Sequence, residues 1–122
     1  MLSDAVVTKR NLEGIKRHML ICIGPSCCTA ERGLEVWEYL KQRLRETGLV
    51  DDGTATVYRT KVGCLRICAD GPVAVVYPEG TWYRLIDEHA IDAIITEHLV
   101  KGIPVVAHAF ATSPLGPTGE PI

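Results

Sequence analysis

A chain of 122 residues with 47% apolar residues can bury one modest core, and it is too apolar for a disordered segment. Its 13 basic and 15 acidic residues leave a net charge of -2, which gives no basic face for nucleic acid and no attraction to an anionic membrane surface. No apolar run approaches the roughly 18 residues of a membrane span, and the N-terminus lacks a signal-peptide core, so the expected location is cytoplasmic.

The elements follow in chain order. Residues 1–16 are polar and read as an N-terminal arm or a short helix. The run "HMLICI" (18–23) reads as a buried strand that carries the first cysteine. A cysteine-bearing loop comes next. Residues 30–47 read as a helix, with Leu34, Val36, Trp37, Leu40 and Leu44 forming its apolar stripe. Thr29 is placed to cap its start and Gly48 to end it, and Glu38 and Lys41 sit one turn apart on its wet face. "TATVYRT" (54–60) reads as a second strand, "VAVVY" (73–77) as a third and "TWYRL" (81–85) as a fourth, the last two joined by the turn "PEG". Asp87 caps a last helix bearing Ile91, Ile94, Ile95 and Leu99, and Lys101, Gly102 and Pro104 stop it. Residues 105–122 are rich in Pro and Gly and read as a tail. The order is strand, helix, strand, hairpin, helix. If the first helix crosses over between parallel strands, the fold is α/β: a four-stranded mixed sheet with two main helices, thioredoxin-like in outline, over residues 17–104.

Five cysteines fall in two clusters: Cys22, Cys27 and Cys28, then Cys64 and Cys68. In a reducing compartment such a set binds metal or does redox chemistry more often than it forms disulfides. Both clusters abut predicted strands. If those strands are parallel neighbours, the loops leaving their C-terminal ends converge and bring the thiols into one site.

Four thiolates suit zinc or an iron–sulfur cluster. Structural zinc knuckles usually wrap one ion with C-x2-C, and neither pair here has that spacing. The wider C-x4-C and C-x3-C can each chelate one iron of a two-iron rhomb. Zinc stays open as the alternative. No nucleophile elbow, HExxH or phosphate loop is present. A thiol–disulfide oxidoreductase would need the C-x-x-C that the chain lacks. His18, His89, His98 and His108 are scattered, none two or three residues from a cysteine, which disfavours mixed His/Cys ligation. His89 and His98 read as surface residues of the last helix.

The segment "CLRICADGPVAVVYPEGTWYRLIDEHAIDAIITEHLVKGIPV" (64–105), together with "HMLICIGPSC" upstream, resembles the thioredoxin-like [2Fe-2S] ferredoxins and the small [2Fe-2S] subunit of complex I and NAD-linked hydrogenases. The resemblance covers about residues 17–105. It implies a one-electron carrier that catalyses nothing alone, passing electrons between a reductase and an acceptor enzyme. It also implies a homodimer in the bacterial cytoplasm, with a surface-proximal [2Fe-2S] cluster in two loops. The ligands it implies are Cys22, Cys64, Cys68 and, by the C-x4-C spacing of the complex I type, Cys27. In the stand-alone ferredoxins the second ligand lies just before the helix and matches Cys27 or Cys28. The same resemblance fits a cluster-carrying subunit of a larger redox complex.

Around such a site Gly24, Gly63 and Gly71 let backbone N–H groups approach sulfur. Arg66 and Lys61 either tune the potential or are simply solvated. Leu65 and Ile67 either shield the cluster or belong to the core. Pro72 opens a strand, cis or trans. Trp37 reads as core, one of Trp82 and Tyr83 faces inward, and Asp70, Glu79, Asp87 and Glu88 are candidates for a docking surface.

Overall fold

A computed structural model describes residues 4–115 and 121. The helices and strands are α1 (Asp4–Arg10), β1 (Arg17–Cys22), α2 (Ala30–Thr47), β2 (Val57–Val62), β3 (Val73–Tyr77), β4 (Thr81–Tyr83), α3 (Glu88–Ala93) and β5 (Ala109–Thr112). α3 runs on without a break as a π-helical turn over Ile94–Leu99.

The sheet has the order β2-β1-β3-β4-β5. β1 and β2 are parallel, in register from Arg17 opposite Val57 to Cys22 opposite Val62, and β1 and β3 are antiparallel. α2 is therefore the crossover the sequence called for, and the sheet is mixed as expected. Its strand count is corrected from four to five. The fifth strand lies inside the segment read as a tail and pairs antiparallel with β4. Only four residues long and largely exposed, it has no apolar alternation to announce it. The arm and tail expectations for residues 1–3, 116–120 and 122 lie outside the described residues.

α2 and α3 cover one face of the sheet. Met19 and Ile21 of β1, Ala74 and Val76 of β3, Val57 and Tyr83 meet Val36, Trp37, Leu40 and Leu44 of α2 and Ile91, Ile94 and Leu99 of the last helix. β3 sits in the middle of the sheet, and its first four residues are buried on both faces, hence its unbroken apolar run. The helices are also clasped at their outer edges. Arg32 pairs with Glu88 through two hydrogen bonds of 3.1 and 2.6 Å, and Asp92 accepts from Tyr39 Oη at 2.9 Å and Arg43 Nε at 2.9 Å.

The helix stripe needs one correction. Leu34 is 48% exposed, because at about 100° per residue it stands a quarter-turn or more from the line through Gly33, Trp37, Leu40 and Leu44. Gly33 takes its place in the buried face. A Cβ there would lie 1.9 Å from the Ile23 carbonyl oxygen, so only glycine lets α2 start hard against the chain leaving β1. Glu38 and Lys41 pair at 3.0 Å. The caps are as expected: Gly48 ends α2 with φ 76°, and the Thr29 hydroxyl accepts from the Arg32 N–H at 3.1 Å. Thr29→Ala should lower stability by about 1 kcal/mol in urea denaturation, and an unchanged midpoint would remove the cap from the account.

His98 is a second correction. It is fully buried rather than on the surface. Tyr83 Oη lies 2.7 Å from His98 Nδ1, and His98 Nε2 lies 2.7 Å from Glu79 Oε1. The Val105 N–H donates to Tyr83 Oη at 2.9 Å, so the phenol proton is free to go to Nδ1. Nε2 then carries the imidazole proton and donates it to Glu79. Arg17 closes the chain with two bonds to the Glu79 carboxylate, 3.2 and 2.8 Å. The Gly71–Pro72 peptide is cis.

Candidate metal centre

The parallel pairing of β1 and β2 delivers both cysteine clusters to one end of the sheet. Cys22 is the last residue of β1, opposite Val62. Cys64 lies two residues beyond β2 and Cys68 four further on. The two loops are laced together: the Gly71 N–H donates to the Cys27 carbonyl at 2.9 Å. The second loop is pinned from behind by the segment after β4. There Leu85 N–H donates to the Asp70 carbonyl at 2.7 Å and Ile86 N–H to the Pro72 carbonyl at 3.2 Å.

The first thiol pair is Cys22 and Cys27. Both side chains are buried, and their Sγ atoms stand 3.1 Å apart. Cys28 is half-buried, its Sγ 3.8 Å from that of Cys27, and it lies against the Gly24 backbone. The second pair, Cys64 and Cys68, is exposed. The two thiols act on each other electrostatically, and the Cys22 charge reaches Cys68, so the second pair lies near the first.

Electrostatics separate the thiols. Burial raises Cys22, but the Gly24 N–H, the Cys27 thiol and the Leu65 N–H all stabilise its thiolate, and the net shift is downward. Cys27 is pushed up to about 12 by burial, then by its hydrogen bonds to and the charges of Cys22 and Cys28. Cys68 is raised by its hydrogen bond to Cys64 and by the Cys64 charge, by burial and by the Cys22 charge, against Arg66. Within the first pair the first negative charge therefore rests on Cys22. A cation is required before four thiolates can coexist here.

The second loop has a geometry that its sequence does not advertise. Arg66, Cys68 and Asp70 have φ of 67°, 58° and 54°, left-handed values that cost non-glycine residues on the order of 1 kcal/mol each. This tight winding brings the Arg66 N–H to within 3.1 Å of Cys64 Sγ. The loop aims a backbone donor at the Cys64 sulfur, and the Arg66 charge acts on Cys68.

The expected glycines divide. Gly24 offers its N–H to Cys22. Gly71 serves by what it lacks: a Cβ would sit 2.6 Å from both Cβ and Sγ of Cys27. Gly63 has open space around it. Gly71→Ala should push Cys27 out of place and lower the iron content and visible absorbance per chain, and wild-type values would show that the loop gives way instead.

The other candidates fall outside the site or have different tasks. Lys61 is exposed, Leu65 half-buried, and Ile67 42% exposed. Trp37 is core, with Arg59 and Lys41 over its ring. Tyr83 faces inward, and Trp82 packs on Phe110 of β5 at 6.5 Å. Of the acidic residues suggested for docking, Glu79 is bound by Arg17 and His98, Asp87 caps α3, and Glu88 is held by Arg32. Asp70 alone among them makes no side-chain ion pair or cap in the described residues.

No family model matches the chain. Sequence and structure comparisons do. The chain is 38% identical over 96 residues to a protein of Priestia megaterium named as a 2Fe-2S ferredoxin, covering 79% of this chain and 71% of that one. It is 31% identical over 96 residues to a 2Fe-2S ferredoxin of Aquifex aeolicus, covering 73% and 84% of the two chains. The solved structure of a thioredoxin-like [2Fe-2S] ferredoxin from Aquifex aeolicus superposes with a TM-score of 0.69 at 27% identity, covering 80% of this chain and 93% of that one. With this sheet order and with two cysteine loops laced at one sheet end, the chain belongs to the thioredoxin-like [2Fe-2S] ferredoxin family.

Proposed function

We propose that this chain is a one-electron carrier that holds a [2Fe-2S] cluster through Cys22, Cys27, Cys64 and Cys68. The observation that carries this reading is the convergence of the two thiol pairs at one sheet end, with Cys22 and Cys27 Sγ atoms 3.1 Å apart. Two pairs suit two irons better than one zinc.

A bound [2Fe-2S] cluster takes up and returns one electron. The chain's own part is to hold the thiolates and to offset their charge. The backbone N–H groups of Gly24, Leu65 and Arg66 do so, at fixed positions that need not reorganise when the charge changes. The exposed second pair places one side of the centre at the surface, as transfer through a weak, transient encounter requires. The partners in this reading are a reductase and an acceptor redox enzyme. A homodimer in the cytoplasm accords with the resemblance, and no described helix is long and apolar enough to cross a membrane.

Anaerobic purification followed by visible absorption and, after dithionite, EPR tests the proposal. Reddish-brown protein with two irons per chain and a spin-half signal on reduction is the expected result. A colourless preparation with one zinc per chain would overturn it in favour of a zinc-binding interaction module.

A further inference from the structure

Away from the cysteines, an open pocket of about 490 Å³ lies along the outer edge of β2, a size that accommodates a small molecule. Three arginines line it, Arg10, Arg45 and Arg59, against one carboxylate, Asp52. Asp52 is taken by Arg10, at 3.0 Å. Arg45 and Arg59 have no ion-pair partner among the described residues. The pocket thus keeps two unmatched positive charges in a chain whose net charge is -2.

Arg59 is the most telling of the three. Its guanidinium lies over the Trp37 ring at 5.6 Å, and its Nε is buried with no hydrogen-bond partner. A buried N–H left unpaired is uncommon. Nε itself is closed to solvent, so the Arg59 donors left for an acceptor in the pocket are its terminal Nη groups, which hold no hydrogen bond among the described residues. The two lining hydroxyls already have partners: Tyr58 Oη donates to the Arg10 carbonyl at 3.2 Å, and the Thr60 hydroxyl pairs with His18 at 2.8 Å. What the pocket has left to offer is planar guanidinium donors, which match phosphate oxygens two at a time.

We propose that this pocket is a binding site for a phosphate dianion, either free or as the terminal group of a small phosphate ester. It stands apart from the electron route. α2 carries the chain from its cap at Thr29, beside Cys28, to Arg45, roughly 24 Å at 1.5 Å per residue. An anion bound there acts on stability or on a remote contact, not on the transfer step, and its binding does not depend on the identity of the metal centre.

The test is isothermal titration of the intact, cofactor-loaded protein at pH 8 and constant ionic strength, with inorganic phosphate in one arm and methyl phosphate in the other. Saturable binding in the millimolar range is expected. Arg45→Gln and Arg59→Gln should each weaken it about tenfold or more, while Arg84→Gln, on the far side of the sheet, stays within about twofold. Tighter binding of the ester assigns the site to a phosphorylated small molecule, and equal binding to phosphate itself. Absence of saturation with both probes would overturn the proposal, as would equal affinities across the three variants. Arg59→Gln loses its stack on Trp37 and is checked by far-UV circular dichroism. Arg45→Gln, on the exposed side of α2, decides the matter if Arg59→Gln is misfolded.

Discussion

Cys27→Ala is expected to be recovered with little or no cluster, and Cys28→Ala with the iron content and visible spectrum of the parent. The two residues are adjacent and chemically identical, so the contrast isolates geometry. The Cys27 thiol is buried, 3.1 Å from Cys22, and its backbone is tied to the second cysteine loop through Gly71. Cys28 is one step along, half-buried and turned to the Gly24 backbone. Removing Cys27 takes away one of the four proposed ligands, the one whose thiol lies beside Cys22. Removing Cys28 takes away a half-buried side chain whose thiol partner among the described residues is Cys27, at 3.8 Å. Iron and sulfide analysis with visible absorption reads both outcomes. If Cys28→Ala loses the cluster and Cys27→Ala keeps it, the ligand moves one place along the loop.

His98→Ala should destabilise the fold by about 3 kcal/mol or more, a lowering of the melting temperature by over 10 °C for a domain of this size. Three losses combine. A cavity opens in the core. The buried Tyr83 hydroxyl loses its acceptor, and the half-buried Glu79 loses one of its donors. Urea denaturation of the loaded protein measures the effect, and a loss below about 0.5 kcal/mol would show that water takes over both roles.

The same residue sets a pH dependence. Burial holds His98 below its ordinary value, with Glu79 opposing and Arg17 assisting. Below pH about 6.5 the unfolded chain therefore binds a proton that the folded chain refuses. Stability is full above that pH and falls as the solution is acidified. Glu79 has the same sign. Burial raises it, but Arg17 and His98 hold its carboxylate below the usual range, so its contribution is present above pH about 4.3 and lost below. His98→Ala should flatten the slope just below pH 6.5. His18, also lowered by burial, leaves a residual slope of the same sign, and an unchanged profile would remove His98 from the account.

Periodicity and local chemistry made much of this protein legible from its residues. α2 matches the predicted range of 30–47, with both caps, and "VAVVY" is β3 to the residue. The crossover and the mixed sheet followed from the order of elements. The meeting of the two cysteine loops at one sheet end followed from their places after two parallel strands. Each of these depends on neighbours within a few residues or on a single topological rule.

Tertiary structure decided the rest. β5 lies in a segment of tail-like composition and exists through its pairing with β4. Leu34 and His98 exchange their expected environments: Leu34 stands off the buried line of α2, and His98 is turned inward where the last helix meets Tyr83 and Glu79. The left-handed winding of residues 66–70 is imposed where Gly71 meets Cys27 and Leu85 meets Asp70, contacts that join residues far apart in the chain. The same packing sets Cys27 apart from Cys28: the C-x4-C spacing favours Cys27, and the path of the loop over Gly24 and Gly71 brings its thiol beside Cys22.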